Sequence, residues 1–95
     1  MGQRGNDIDI ESGVTSRVVA VIAEVLAVDA QSIRLDSSLI DDLGAASLDL
    51  VQLLWNLEEE FGKPIPDEDV DTFHTPRDVV AYIVRKLGEQ DGDEA

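Results

Sequence analysis

The chain has 95 residues and a net charge of −14. Its length is that of one domain with one modest hydrophobic core. It has no cysteine, which excludes disulfides and thiolate metal sites. No apolar run approaches the ~20 residues of a membrane span. So acidic a surface repels nucleic-acid phosphates and attracts basic protein surfaces. We therefore expect a cytoplasmic monomer that binds proteins and does not bind nucleic acid.

Both ends of the chain lack the apolar periodicity of a packed helix or strand. Residues 1–12 and 89–95 are rich in Gly, Asp and Glu, a composition that cannot bury enough apolar surface to fold. We predict flexible tails over these two segments, the second of them acidic. The folded domain is predicted over residues 13–88.

The first predicted helix runs from Thr15 to Ala27, because Val18, Ile22 and Val25 recur at helical spacing. A connection of this domain then extends over residues 28–46 without periodicity, a length that is typical of functional or disordered loops. Its apolar residues are spaced so that we expect them to attach the loop to the core. They are Ile33, Leu35, Leu39, Ile40 and Leu43.

The second predicted helix runs from Ser47 to Phe61, with Ser47 as its N-cap. Gly62 is a typical helix stop, and Pro64 prevents continuation. On a helical wheel, one sector of this helix is apolar and is predicted to face the core. That sector contains Leu50, Leu53, Leu54, Leu57 and Phe61.

A second apolar patch lies nearly opposite this core sector. It contains Leu48 and Trp55, beside Gln52 and Glu59. Trp55 could cover a tail or another helix, or be exposed without a role, as single apolar residues often are. Residues 47–71 carry eight acidic residues and one basic residue, a net charge of −7. We favour a docking surface for a basic partner, because solubility alone does not require such concentrated charge.

The rest of the chain predicts two further helices. A short third helix is predicted over 67–73, with Asp67 as its cap. A last helix is predicted to begin with Thr75 as its cap and Pro76 in its first turn, and to stop at Gly88. No strand is predicted. The fold class is therefore all-α: a small four-helix bundle of three main helices and one short one, with a long loop between the first two.

No catalytic or metal site is predicted. Ser47 is not in a nucleophile elbow, because no Gly follows two residues later, and His74 has no second His or Cys with which to share a metal. The acidic run 67–71 lacks the Gly and the terminal Glu of a calcium loop. Ser47, at a helix N-terminus, could cap the helix or carry a phosphate group; the local sequence alone favours the cap.

A longer sequence pattern around Ser47 favours the phosphate-carrying role over the helix cap. The segment 41–50, DDLGAASLDL, resembles the modification site of acyl carrier proteins, D-L-G-x-D-S-L-D. The likeness continues through 57–62 (LEEEFG), 65–69 (IPDED) and 75–83 (TPRDVVAYI). Matching motifs in the same order are far more specific than any one of them. The resemblance implies the fold of that family, a four-helix bundle with a long first loop and a short third helix.

The resemblance also implies a function. A phosphopantetheinyl transferase would move 4′-phosphopantetheine from coenzyme A to Ser47, and the arm would carry acyl thioesters in fatty acid or polyketide-like synthesis. Such a chain is a carrier, not an enzyme. Its further partners would be acyl-loading enzymes, ketosynthases and other acyl-processing enzymes with basic docking patches. The implied docking residues are Leu48, Asp49, Gln52, Trp55, Glu58, Glu59 and Asp67.

The chain departs from the family pattern at two positions. Ala46 stands where the family usually has Asp before the serine, and Gln52 stands where it often has an acid. Both indicate a specialised carrier. Ala46 also keeps an alternative open, in which the chain is an unmodified carrier-like interaction module that docks partner enzymes through its acidic second helix.

Overall fold

The computed structural model describes the backbone of residues 2–94 and the side chains of residues 13–88. These residues form three α-helices and two short 3-10 helices, with no β-strand among them. The elements in chain order are α1 (Gly2–Leu26), a 3-10 helix (Ala30–Ser32), α2 (Ser47–Phe61), a second 3-10 helix (Asp67–Thr72) and α3 (Pro76–Glu94). The predicted all-α fold is confirmed. Over the same residues, no helix combines the length and the apolar character that crossing a membrane requires.

One hydrophobic core holds the three α-helices together. Helix α1 packs against both α2 and α3, and the 67–72 helix packs against α2. All three α-helices and the loops contribute buried apolar side chains, which are the main favourable term in folding. Those less than 2% exposed include Val18, Ile22, Leu39, Leu53, Leu54, Leu57, Val79 and Ile83.

Helix α1 is longer than its apolar pattern predicts. It begins at Gly2, upstream of the predicted start at Thr15. It ends at Leu26, where Ala27 takes the left-handed conformation with φ 58°. The side chains of residues 1–12 and 89–95 lie outside the described part, so the flexible tails remain a prediction.

The predicted bounds of α2 are confirmed. The helix spans Ser47–Phe61 and stops at Gly62, which is left-handed with φ 67° and donates its N–H to the Glu58 carbonyl at 2.8 Å. Leu53, Leu54 and Leu57 are buried, while Leu50 and Phe61 pack at the edge of the core. The core sector read from the wheel is therefore confirmed.

The loop is attached to the core by fewer apolar residues than predicted. Leu39 is fully buried, and Ile33 and Leu43 pack partly against the core. Ile40 is 54% exposed and Leu35 is 36% exposed, so the prediction is wrong for these two. Two backbone hydrogen bonds fix Leu39 itself, since its N–H donates to the His74 carbonyl and its carbonyl accepts the Ala45 N–H.

The last two elements differ from their predictions at the ends. The predicted short third helix is a 3-10 helix that stops at Thr72, and Pro66, not Asp67, is its N-cap. Helix α3 begins as predicted, since Thr75 and Asp78 exchange two hydrogen bonds of 3.1 Å. It does not stop at Gly88 but runs to Glu94, and Gly88 lacks the left-handed conformation that Gly62 takes at the end of α2.

Candidate functional site

Ser47 is the first residue of α2 and is exposed. The N-cap is the preceding residue, Ala46, whose backbone is extended with φ −91° and ψ 166°. The prediction that Ser47 caps the helix is therefore wrong. Its hydroxyl is displaced one residue into the helix, where it is not required to satisfy the helix N-terminus.

The start of α2 is held by Asp49. The Asp49 carboxylate accepts a hydrogen bond from the Ala46 N–H at 2.9 Å, and the Asp49 N–H donates to the Ala46 carbonyl at 2.9 Å. This is one half of a capping box. The other half is missing, because the methyl group of Ala46 cannot accept a bond from the first turn. Asp49, predicted as a docking residue, is thus also a structural residue.

A compact turn leads the chain into Ser47. The Ser38 N–H donates to the Asp42 carboxylate at 2.7 Å, and the Gly44 N–H donates to the Ile40 carbonyl at 3.1 Å. Gly44 then takes a left-handed conformation with φ 77°, which favours glycine. The turn ends just before Ala46, whose backbone is extended.

The same turn is tied to the start of α3. The Ala45 N–H donates to the Leu39 carbonyl at 2.8 Å, while the Leu39 N–H donates to the His74 carbonyl at 2.9 Å. A further bond joins the Arg77 N–H to the Leu35 carbonyl at 2.9 Å. The approach to Ser47 is therefore fixed by contacts with a segment far along the chain.

The environment of Ser47 is suited to a phosphate ester. Among the residues that the structure describes, no protein acceptor binds the N–H of Ser47 or that of Leu48. Unpaired N–H groups at the start of an α-helix, together with the helix dipole, favour a negative charge. A 4′-phosphopantetheine arm on the Ser47 hydroxyl would bring its phosphate to this end of α2.

Four of the predicted docking residues form one exposed stripe along α2, which we call the exposed stripe: Leu48, Gln52, Trp55 and Glu59. Leu48 is 77% exposed and Trp55 is 55% exposed. Gln52 donates from its amide to Asn56 at 2.8 Å, and this bond holds its side chain along the helix. The apolar patch begins one residue after Ser47, so a partner that binds the stripe is brought close to the serine.

The remaining predicted docking residues are not equivalent to the stripe. Asp67 is exposed at the start of the second 3-10 helix, which packs against α2. Glu58 is only partly exposed, and its carboxylate accepts the backbone N–H of Ile65 at 2.7 Å. Sequence reasoning missed this bond. The available signal was the pattern Pro64-Ile65-Pro66, in which one N–H donor stands between two residues that have none.

Another acid of α2 faces α1. Glu60 accepts a bond of 2.9 Å from the Arg17 guanidinium, which also lies 5.5 Å from the centre of the Phe61 ring. Glu60 therefore supports the α1–α2 contact and is not part of the exposed stripe.

Comparisons with known proteins match most of this chain. Residues 16–83 match a family described as "Phosphopantetheine attachment site". An acyl carrier protein of Thermotoga maritima is 45% identical over 75 residues, which cover 79% of this chain and 93% of that protein. One from Clostridium acetobutylicum is 49% identical over 70 residues, covering 74% and 91%. One from Bdellovibrio bacteriovorus is 46% identical over 70 residues, covering 74% and 90%.

Proposed function

Since the chain belongs to the acyl carrier protein family, which consists of carriers and not enzymes and has 4′-phosphopantetheine as its cofactor, we propose that Ser47 is the residue that bears the arm. The observation that carries this proposal is the exposed position of Ser47 in the first turn of α2, where two N–H groups lack an acceptor among the described residues. The family pattern around residues 41–50 supports the same residue.

The modification is the transfer of one 4′-phosphopantetheinyl group. The Ser47 hydroxyl oxygen forms a bond to the β-phosphorus of coenzyme A and gives up its proton to a basic group of the transferase. The pyrophosphate bond breaks, and adenosine 3′,5′-bisphosphate leaves. A phosphopantetheinyl transferase supplies the catalytic groups. The carrier supplies an accessible hydroxyl on a rigid helix and a positive helix end beside the new phosphodiester. The bound arm supplies the thiol on which acyl groups travel.

We assign partner recognition to the exposed stripe, together with Asp49 on the same helix and Asp67 at the start of the second 3-10 helix. Its centre is apolar and its surroundings are acidic, which suits an enzyme surface where basic residues surround an apolar depression. The partners are then the transferase and the acyl-processing enzymes of fatty acid or polyketide-like synthesis. Long-range attraction by the net charge of −14 raises the rate of encounter with such surfaces.

Mass spectrometry tests the attachment site. The purified chain is incubated with coenzyme A and a phosphopantetheinyl transferase, and the intact mass is measured. We expect the mass to rise by one 4′-phosphopantetheine group in the wild type and in Ser16→Ala, a matched control on the exposed side of α1. The Ser47→Ala variant should stay unchanged. An arm on Ser38, or on no residue, would overturn the proposal and favour an unmodified interaction module.

A further inference from the structure

Glu58 accepts both hydrogen bonds that close the turn after α2. Its backbone carbonyl accepts the Gly62 N–H at 2.8 Å, and its carboxylate accepts the Ile65 N–H at 2.7 Å. Pro64 and Pro66 have no N–H to donate. Within this turn, Glu58 therefore binds the backbone at the first residue after α2 and again at the last residue that can donate before the second 3-10 helix.

The bond between the Ile65 N–H and the Glu58 carboxylate is stronger than a hydrogen bond between neutral groups. A hydrogen bond to an ionised carboxylate is shorter and stronger than one between neutral groups, and it is strengthened further where water is partly excluded. The Ile65 side chain is 3% exposed and packs in the core, while Glu58 itself is partly buried. The bond therefore fixes the backbone where the chain enters the core at Ile65.

The 67–72 helix begins two residues after Ile65. It packs against α2 and carries Asp67 at its start, so its location relative to the exposed stripe depends on the turn that Glu58 closes. We propose that Glu58 is a positioning residue: its carboxylate holds the 67–72 helix in register with α2, and it supports partner binding through that geometry more than through its own charge.

This inference rests on the proposed docking surface for its functional part, but its structural part can be measured separately. Two substitutions separate the effect of side-chain length at position 58 from the effect of its charge. Glu58→Gln keeps the length and the acceptor oxygen and removes the charge. Glu58→Asp keeps the charge and shortens the side chain by one methylene group, so that it no longer reaches the Ile65 N–H.

The first readout is amide hydrogen exchange of Ile65 in the folded protein, measured by NMR. Losing a bond to a charged acceptor should raise the exchange rate of Ile65 at least about tenfold in Glu58→Asp. The Glu58→Gln variant should remain within a few-fold of the wild type, and the exposed neighbour Glu59→Gln should match the wild type. The exchange of the core amide of Leu54 serves as the control for global unfolding. An unchanged Ile65 exchange rate in Glu58→Asp would overturn the proposal.

The second readout is the kinetics of arm transfer. A positioning role predicts that Glu58→Asp raises the KM of the transferase more than Glu58→Gln does, with kcat unchanged. A role as a docking charge predicts the reverse order, and that result would overturn the proposal. If Ile65 exchange is accelerated while KM is the same in every variant, the carboxylate closes the turn but its part in partner binding is overturned. Whether Ser47 is modified is read from the mass and does not depend on either outcome.

Discussion

The N–H of Ala46 donates to the Asp49 carboxylate at 2.9 Å, but Ala46 offers no side-chain acceptor in return. The helix that presents Ser47 therefore has half of a capping box. An N-cap residue with a side-chain oxygen stabilises a protein by about 0.5–2 kcal/mol relative to alanine. We expect Ala46→Ser to raise the free energy of unfolding by about 1 kcal/mol, measured by urea denaturation. An unchanged midpoint and slope would show that the first turn is satisfied without a cap.

Position 46 also lies next to the modified hydroxyl. We expect Ala46→Asp to speed arm transfer by a general-purpose transferase, chiefly through a lower KM, because an added carboxylate can pair with a basic group on that enzyme. The control is Ala46→Asn, which can cap the helix equally well but has no charge. A transferase dedicated to this carrier should be slowed by the same Asp. Equal rates for wild type and both variants with both enzymes would show that position 46 is not recognised.

The left-handed conformation of Ala27 is a source of strain. At φ 58°, the Cβ of a non-glycine residue destabilises the folded state by about 1–2 kcal/mol. Glycine removes this strain, but its larger conformational freedom in the unfolded chain offsets part of the stabilisation. We expect Ala27→Gly to stabilise the protein by about 0.5–1 kcal/mol. The matched control Ala20→Gly, on the exposed side of α1, should destabilise it by about 1 kcal/mol. Calorimetric melting that shifts both variants in the same direction would contradict this account.

Trp55 is the only tryptophan of the chain and reports directly on the exposed stripe. We expect its fluorescence to shift to shorter wavelength when a partner enzyme binds, because the indole leaves water. Tryptophan anchors at interfaces are often worth about 2 kcal/mol or more, so Trp55→Ala should weaken binding at least about tenfold and leave the fold intact. Val84→Ala, at an exposed apolar residue of α3, is the control. Equal affinities of the two variants would exclude the stripe as the docking surface.

Salt should stabilise the folded chain. The net charge of −14 repels itself, and salt limits that repulsion to about 10 Å at 0.1 M. Salt also weakens the exposed Arg17–Glu60 pair, but such a pair contributes only about 0–1 kcal/mol. Repulsion therefore dominates, and the melting temperature at neutral pH should rise between low and moderate sodium chloride. A flat or falling curve would contradict this prediction.

The local sequence was sufficient to predict several helix ends and the buried side of α2. The end of α2 follows from Gly62 together with Pro64, which cannot continue a helix, and the cap of α3 follows from the spacing of Thr75 and Asp78. Helical periodicity alone separated the buried Leu54 from the exposed stripe, because a side chain's direction around a helix is set by its position in the sequence.

Only the tertiary structure determines the burial and the hydrogen bonds that depend on backbone far away in the sequence. Leu39 is buried and Ile40 is exposed because the loop bonds to His74, 35 residues further along the chain, and no periodicity in the loop encodes that bond. The role of Glu58 was hidden for the same reason: its charge is visible in the sequence, but the Ile65 N–H that it binds is brought to it by the turn. Side-chain type and spacing determine which groups can bond, and only the folded path of the backbone determines which of them meet.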